Sequence, residues 1–262
     1  MAARRHLALT AFAAFVFLFL AAPLLIIAVT AFGEASTIRF PIRGFTFEWF
    51  GAVFASRSFM SSLRLSLVLA VYATLLALAI GVPAAYALGR TTFRRNKLLR
   101  SFFLSSTFVP GIVIGYALFK FLVIGLRMPV FAGLLLGHFL VVIPYVIRVV
   151  GASLEQFDFS IEEVARSLGC NRAQAFAKAV LPNIGSGIVA AFMLAFINSF
   201  NNIPVSMFLT GPGISTLPRT LMSYIEYSYD PSVSAISVLL MAITVLLMYG
   251  VERTMGIGTL AG

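Results

Sequence analysis

Charge is scarce in this chain. Of 262 residues only 11% are charged, and nine are acidic, whereas a soluble domain carries roughly 25% charged residues. An ordinary soluble globular protein is thereby excluded. The single cysteine, Cys170, excludes an internal disulfide and a cysteine-built metal cluster. The two histidines, His6 and His138, lie far apart and offer no ligand spacing, so no metal site is expected. No G-x-x-x-x-G-K-[ST] is present, so the chain has no loop of the kind that cradles nucleotide phosphates. Neither H-E-x-x-H nor a Ser-His-Asp arrangement can be read, and no catalytic residue is expected. Repeats of fixed period and low-complexity tracts are also missing.

What remains is oil. Hydrophobic residues make up 60% of the chain, with 26 Phe, and long uncharged runs point to a bilayer as the solvent. The first run, 7–32, exceeds the ~7–15 residues of a signal-peptide core, which predicts a retained span. Runs of about membrane-spanning length fall at 7–32, 65–89, 101–119, 128–147, 183–209 and 232–251. They use up the chain as one transmembrane domain, 1–262, with no room for a second soluble one. Backbone groups in hydrocarbon must be satisfied within the segment, so each run should be a helix. Pro83, Pro110, Pro144 and Pro204 are expected kinks or breaks. Pro204, after the polar run 198–202, marks an expected unwound segment.

The formal net charge is +10, and its distribution explains it. Twelve of the 19 Lys and Arg fall on the side of the N-terminus, with a cluster at Arg90, Arg94, Arg95, Lys97 and Arg100. That asymmetry predicts cytoplasmic termini. Basic charge is then a topological signal toward membrane lipid, and no nucleic acid is implied. On the outer side, 48–56 should form an interfacial helix with Trp49 at headgroup level. Tyr224, Glu226 and Tyr227, in the outer loop 210–230, are candidates for an outer mouth; an interfacial aromatic belt explains the tyrosines equally well.

The polar exception lies within 155–182, where SIEEVARSLGCNRAQAFAKAVLP runs from Ser160 to Pro182. Ser160 with Glu163, and Asn171 with Gln174, have capping-box spacing. Ile161, Val164, Ala165 and Leu168 make one apolar stripe at helical period, with Arg166 at its rim. Gly169 sits where a helix end favours positive φ. Phe176, Ala179 and Val180 share a face of a second helix, and Pro182 is expected to close it. Such apolar edges are marginal unless covered. Either the chain's own spans cover them, or a partner does.

The pattern E-x-A-x-x-x-G followed about a dozen residues later by L-P, here Glu163, Val164, Ala165, Gly169, Leu181 and Pro182, resembles the EAA loop of permease subunits of ABC importers that work with a solute-binding protein. Val164 stands where the motif usually has Ala, and Ala179 where it often has Ile. The stretches PYVIRVVGASLEQFD and FLTGPGISTLPRTLMSYIEYSYDPSVSAIS also look like this family, most like the second permease of spermidine/putrescine importers. The resemblance covers nearly the whole chain. It implies an all-α membrane protein with six transmembrane helices of the type I importer kind, multi-pass in the bacterial inner membrane, with a cytoplasmic coupling helix. It implies a homologous permease, two ATP-binding cassette subunits and an extracytoplasmic solute-binding protein as partners, with ATP and Mg bound by the cassettes and no cofactor on this chain. The residues it assigns to ATPase coupling are Ser160, Ile161, Glu163, Val164, Ala165, Arg166, Leu168 and Gly169.

For the cargo, polar residues at membrane depth are the candidates: Asn198, Ser199, Asn201, Asn202 and Ser206. Interhelical hydrogen bonding is their alternative role. Relatives often carry acids where this chain has SFNN, which suits a polycation. Asn201 and Asn202 are neutral, so a zwitterionic or anionic organic solute competes with a polyamine. A channel or scaffold that uses the loop only for assembly is the alternative function.

Overall fold

The computed structural model describes residues 2–90, 109–228 and 230–255. Among these there are helices and no strand, the one exception to irregular connection being an isolated bridge between Gly211 and Ile214. Among the described residues, four helices are long and apolar enough to cross a membrane, within Leu9–Thr30, Arg57–Arg90, Val130–Glu155 and Gly185–Phe208. Two shorter apolar ones are Gly111–Gly125 and Ser232–Leu246. Of the expected third span, residues 101–108 lie outside the described residues, as do Arg94, Arg95, Lys97 and Arg100 of the basic cluster.

The chain divides into two compact units. One comprises Met1–Ser61 and Leu221–Tyr249. Here Thr30 Oγ1 lies 3.1 Å from Ser234 Oγ, tying the first long helix to the last. The expected interfacial helix forms at Glu48–Ala55. It is positioned by the Trp49 indole, which donates to the Gly33 carbonyl at 2.8 Å, and by rings of Phe32, Phe45, Phe47 and Phe50 in mutual contact. Tyr224 donates to Asp230 at 2.6 Å and meets Phe59 edge-on.

The other unit comprises Ser62–Thr220 and Gly250–Gly262. Its core joins the helices Arg57–Arg90, Val130–Glu155 and Gly185–Phe200 through buried Ala77, Ala85, Val146, Val150, Ala191 and Ala195. Small residues suit this role, because inside a bilayer helices associate by close packing rather than by escape from water. Pro83 and Pro144 lie inside continuous helices, so of the expected kinks or breaks neither position is a break. Neighbouring helices and local adjustment can satisfy the carbonyl that each proline leaves unpaired. Pro110 instead precedes the helix Gly111–Leu118, where its missing N–H is no loss. The unwound segment falls at Asn201–Asn202, just before the short helix Ile203–Phe208, which carries Pro204 in its first turn. A Cβ on Gly115 would sit 2.6 Å from the Pro204 carbonyl oxygen. Only glycine lets the helix Gly111–Leu118 lie this close to the backbone after the break.

Candidate functional site

The polar loop folds as two helical pieces. The first spans Ser160–Ser167. The Ser160/Glu163 capping box does not form: Ser160 is already helical, Phe159 takes the capping position, and no side chain caps it. Asp158, two residues before Ser160, instead offers an acceptor to the first turn, its Oδ1 accepting from the Ser160 amide at 2.9 Å. These bonds from Ser160 hold the Asp158 carboxyl below the usual carboxylate range. Glu163 is left exposed and free to face outward.

The helix ends as Gly169 allows. With φ at +95°, Gly169 donates to the Arg166 carbonyl at 3.0 Å and Cys170 to the Ala165 carbonyl at 3.1 Å. This pair of bonds is the Schellman closure, which needs a left-handed residue where Gly169 stands. The second capping box does form: Gln174 N donates to Asn171 Oδ1 at 2.9 Å, and Asn171 N to Gln174 Oε1 at 3.0 Å. The helix it opens runs through Arg172–Ala175, a π turn at Phe176–Val180 and Leu181–Asn183. Pro182 therefore does not end the element. It cannot donate to the carbonyl four residues back, and the wide turn before it absorbs that loss.

The two apolar faces meet different fates. Ala175, Ala179 and Val180 are buried, and Val180 joins the core of the spans. Ile161, Val164 and Leu168 are 43%, 58% and 81% exposed, with Ala165 half-buried and Glu163 and Arg166 exposed beside them. Among the described residues, the spans leave the first stripe uncovered. Beside it, Ser153, Gln156, Asp158, Ile161, Asn183 and Ser186 line an open recess of about 400 Å³.

One residue of the first helix turns inward, and neither the capping spacing nor the apolar stripe marks it. Glu162 is fully buried, its carboxylate 2.7 Å from Arg90 Nη1 and accepting from the Tyr86 hydroxyl at 2.7 Å. Successive residues on a helix point about 100° apart, so of two adjacent glutamates one can face the bundle while the other faces away.

The candidate pathway residues do not act as one cluster. Ser199 and Ser206 are buried, and both bond to His138: Nδ1 is 2.9 Å from Ser199 Oγ and Nε2 is 3.0 Å from Ser206 Oγ. A neutral imidazole donates from one nitrogen and accepts at the other, and hydroxyls can answer either. His138 thus bridges the two sides of the break. Asn202 caps the helix after it, accepting from Val205 N at 3.0 Å, and half-buried Asn198 donates to the Leu194 carbonyl. Asn201 is exposed. Of the outer-mouth candidates, Tyr224 is half-buried against Asp230, while Glu226 and Tyr227 are exposed. Burial, and then the Asp230 carboxylate, push the Tyr224 hydroxyl above its ordinary pKa. Among the described residues no three His, Cys, Asp or Glu side chains gather as a metal site.

The chain matches, over residues 77–254, the family described as binding-protein-dependent transport system inner membrane component. It is 28% identical over 236 residues to the spermidine/putrescine transport system permease protein PotC of Escherichia coli (strain K12), covering 89% of this chain and 88% of that one. It is 29% identical over 232 residues to the putrescine transport system permease protein PotI of the same organism, covering 86% and 82%. Among solved structures, it is similar to a bacterial ABC transporter involved in the import of the acidic polysaccharide alginate, with TM-score 0.73, 19% identity and 97% of each chain covered. It is also similar to the inward-facing MetNI methionine ABC transporter, with TM-score 0.61, 19% identity, and 76% and 97% of the two chains covered.

Proposed function

Because the chain belongs to the family of binding-protein-dependent transport system inner membrane components, as a permease subunit of an ABC importer with the type I fold, we propose that its polar loop is the coupling element that a separate ATPase subunit moves. The observation that carries this reading is the outward stripe of Ile161, Val164 and Leu168. A short, capped helix with an exposed apolar edge can transmit a rigid-body push from whatever covers it. Glu163, Ala165 and Arg166 flank that edge, Ser160 opens the helix and Gly169 fixes its end.

In this reading the loop and both termini face the cytoplasm. ATP and Mg belong to two ATP-binding cassette subunits, and this chain contributes no catalytic group. A homologous permease completes the pathway, and an extracytoplasmic binding protein delivers the solute. The solute is a small organic molecule. Relatives named for spermidine and putrescine favour a polyamine. The neutral side chains at Asn198, Asn201 and Asn202 favour a zwitterionic or anionic solute instead. Solutes that stabilise the cognate binding protein against heat decide between the two.

The transport reading is tested by uptake into vesicles carrying the complete importer. Uptake should stop when the cassette subunits are made hydrolysis-deficient, and Glu163→Ala should weaken cassette association or uncouple hydrolysis from uptake. Uptake that continues unchanged without any ATP-hydrolysing partner would mark the chain as a channel or scaffold.

A further inference from the structure

Glu162 is the only buried residue of the helix Ser160–Ser167. Its Oε1 is 2.7 Å from both Arg90 Nη1 and Tyr86 Oη. Arg90 Nη1 also donates to the Tyr86 hydroxyl at 3.1 Å, which closes a triangle of three polar groups. Glu162 Oε2 has no hydrogen-bond partner among the described residues. Tyr86 and Arg90 are four residues apart on the last turns of the helix Arg57–Arg90. The Tyr86 ring further lies 4.7 Å from Phe176, in the second piece of the loop.

Apart from its chain connections and its packing on the second piece of the loop, the first loop helix therefore holds the bundle through one buried acidic side chain. An apolar contact could slide or roll under load. A carboxylate held at once by a guanidinium and a phenol is fixed in direction as well as distance. It sets the rotation of the helix about its axis, and so keeps Ile161, Val164 and Leu168 pointing away from the spans. It also joins the helix to the end of a 34-residue helix, where a displacement acts on an element about 50 Å long.

We propose that Glu162, through Arg90 and Tyr86, is the positioning residue that passes movement of the loop helix to the helix Arg57–Arg90. This rests on the reading of the loop as the ATPase-coupling element, and it gives the inward glutamate a different task from the outward Glu163. Glu163 faces the partner. Glu162 faces the bundle.

The test uses the complete importer in proteoliposomes, with three readouts: cassette co-purification, binding-protein-stimulated ATP hydrolysis, and solute moved per ATP hydrolysed. Glu162→Gln and Arg90→Gln should keep cassette association within about twofold while solute moved per ATP falls roughly tenfold. The double exchange Glu162→Arg with Arg90→Glu should recover part of that ratio. Tyr86→Phe, which removes one hydroxyl, should lower it by a smaller factor and serves if the charge variants do not fold. A wild-type ratio in Glu162→Gln and Tyr86→Phe overturns the proposal. So does loss of cassette association in parallel with transport, which makes Glu162 part of the docking surface. Failure of the underlying reading is distinguishable: cassette association would then survive Leu168→Asp, whatever Glu162 does.

Discussion

The two helices of the polar loop have similar amphipathic patterns and opposite surroundings. In Ser160–Ser167 the apolar side chains Ile161 and Val164, with Leu168 just beyond, face away from the chain, and a glutamate faces in. In the piece that follows, Ala175, Ala179 and Val180 face in, and the polar residues face away. Period alone marks an apolar face without saying what will cover it. The second helix hands its face to the core of the spans at once, because it runs almost directly into Gly185–Phe200. The first is set apart by the left-handed turn at Gly169 and anchored by polar bonds. One helix gives its apolar face to the fold, and the other leaves it exposed.

The sharpest way to break this comparison is to place the same change in both helices. Val180→Asp puts an unpaired charge into a site with no exposed surface. It should destabilise the chain by about 3 kcal/mol or more, seen as lost monodispersity and a lowered Tm in detergent. Val164→Asp, at 58% exposure, should change stability by no more than about 0.5 kcal/mol. Equal destabilisation by the two would mean that the first stripe is covered by the chain itself.

The next effect is on association. Leu168→Asp should leave Tm unchanged and weaken binding to the cassette subunit by roughly tenfold or more, the scale of an apolar anchor lost from an interface. Titration of the detergent-solubilised permease with the purified cassette measures it. Unaltered affinity would leave the exposed stripe without a function in docking.

Much of this was legible in advance, and the reasons differ by residue. Asn171 with Gln174, and Gly169, were readable because capping and helix termination are local chemistry. The Asn201–Asn202 break was readable because proline and a polar run interrupt an apolar pattern. The start of the first helix was misread: Ser160 has the capping spacing, yet Asp158 offers a charged acceptor to the same turn and wins. Glu162 could not be singled out, since its burial depends on Tyr86 and Arg90 more than seventy residues earlier. His138 carried a signal that was set aside. A lone histidine in an apolar span is a poor metal site, but it must still find partners at membrane depth. Ser199 and Ser206 supply them, from positions that only the fold brings together.

The smallest predicted effect sharpens the contrast at the helix starts. Asn171 and Gln174 make a neutral box, whereas Asp158 takes the Ser160 amide with a carboxyl whose pKa is lowered by the Ser160 bonds. A group with a depressed folded-state pKa contributes fully above its unfolded value, about 3.9 for Asp. That contribution is lost as pH falls through the lower folded value. The protection factor of the Ser160 amide against hydrogen exchange should therefore fall as pH drops from about 4 toward 2, while that of Gln174 stays level in this window. Asp158→Asn retains an acceptor and removes the titration, so protection at Ser160 should become as insensitive to acid as at Gln174. A parallel fall at both amides, or the same fall in the Asn variant, would assign the change to general loosening of the loop. The two starts would then differ in residue identity alone.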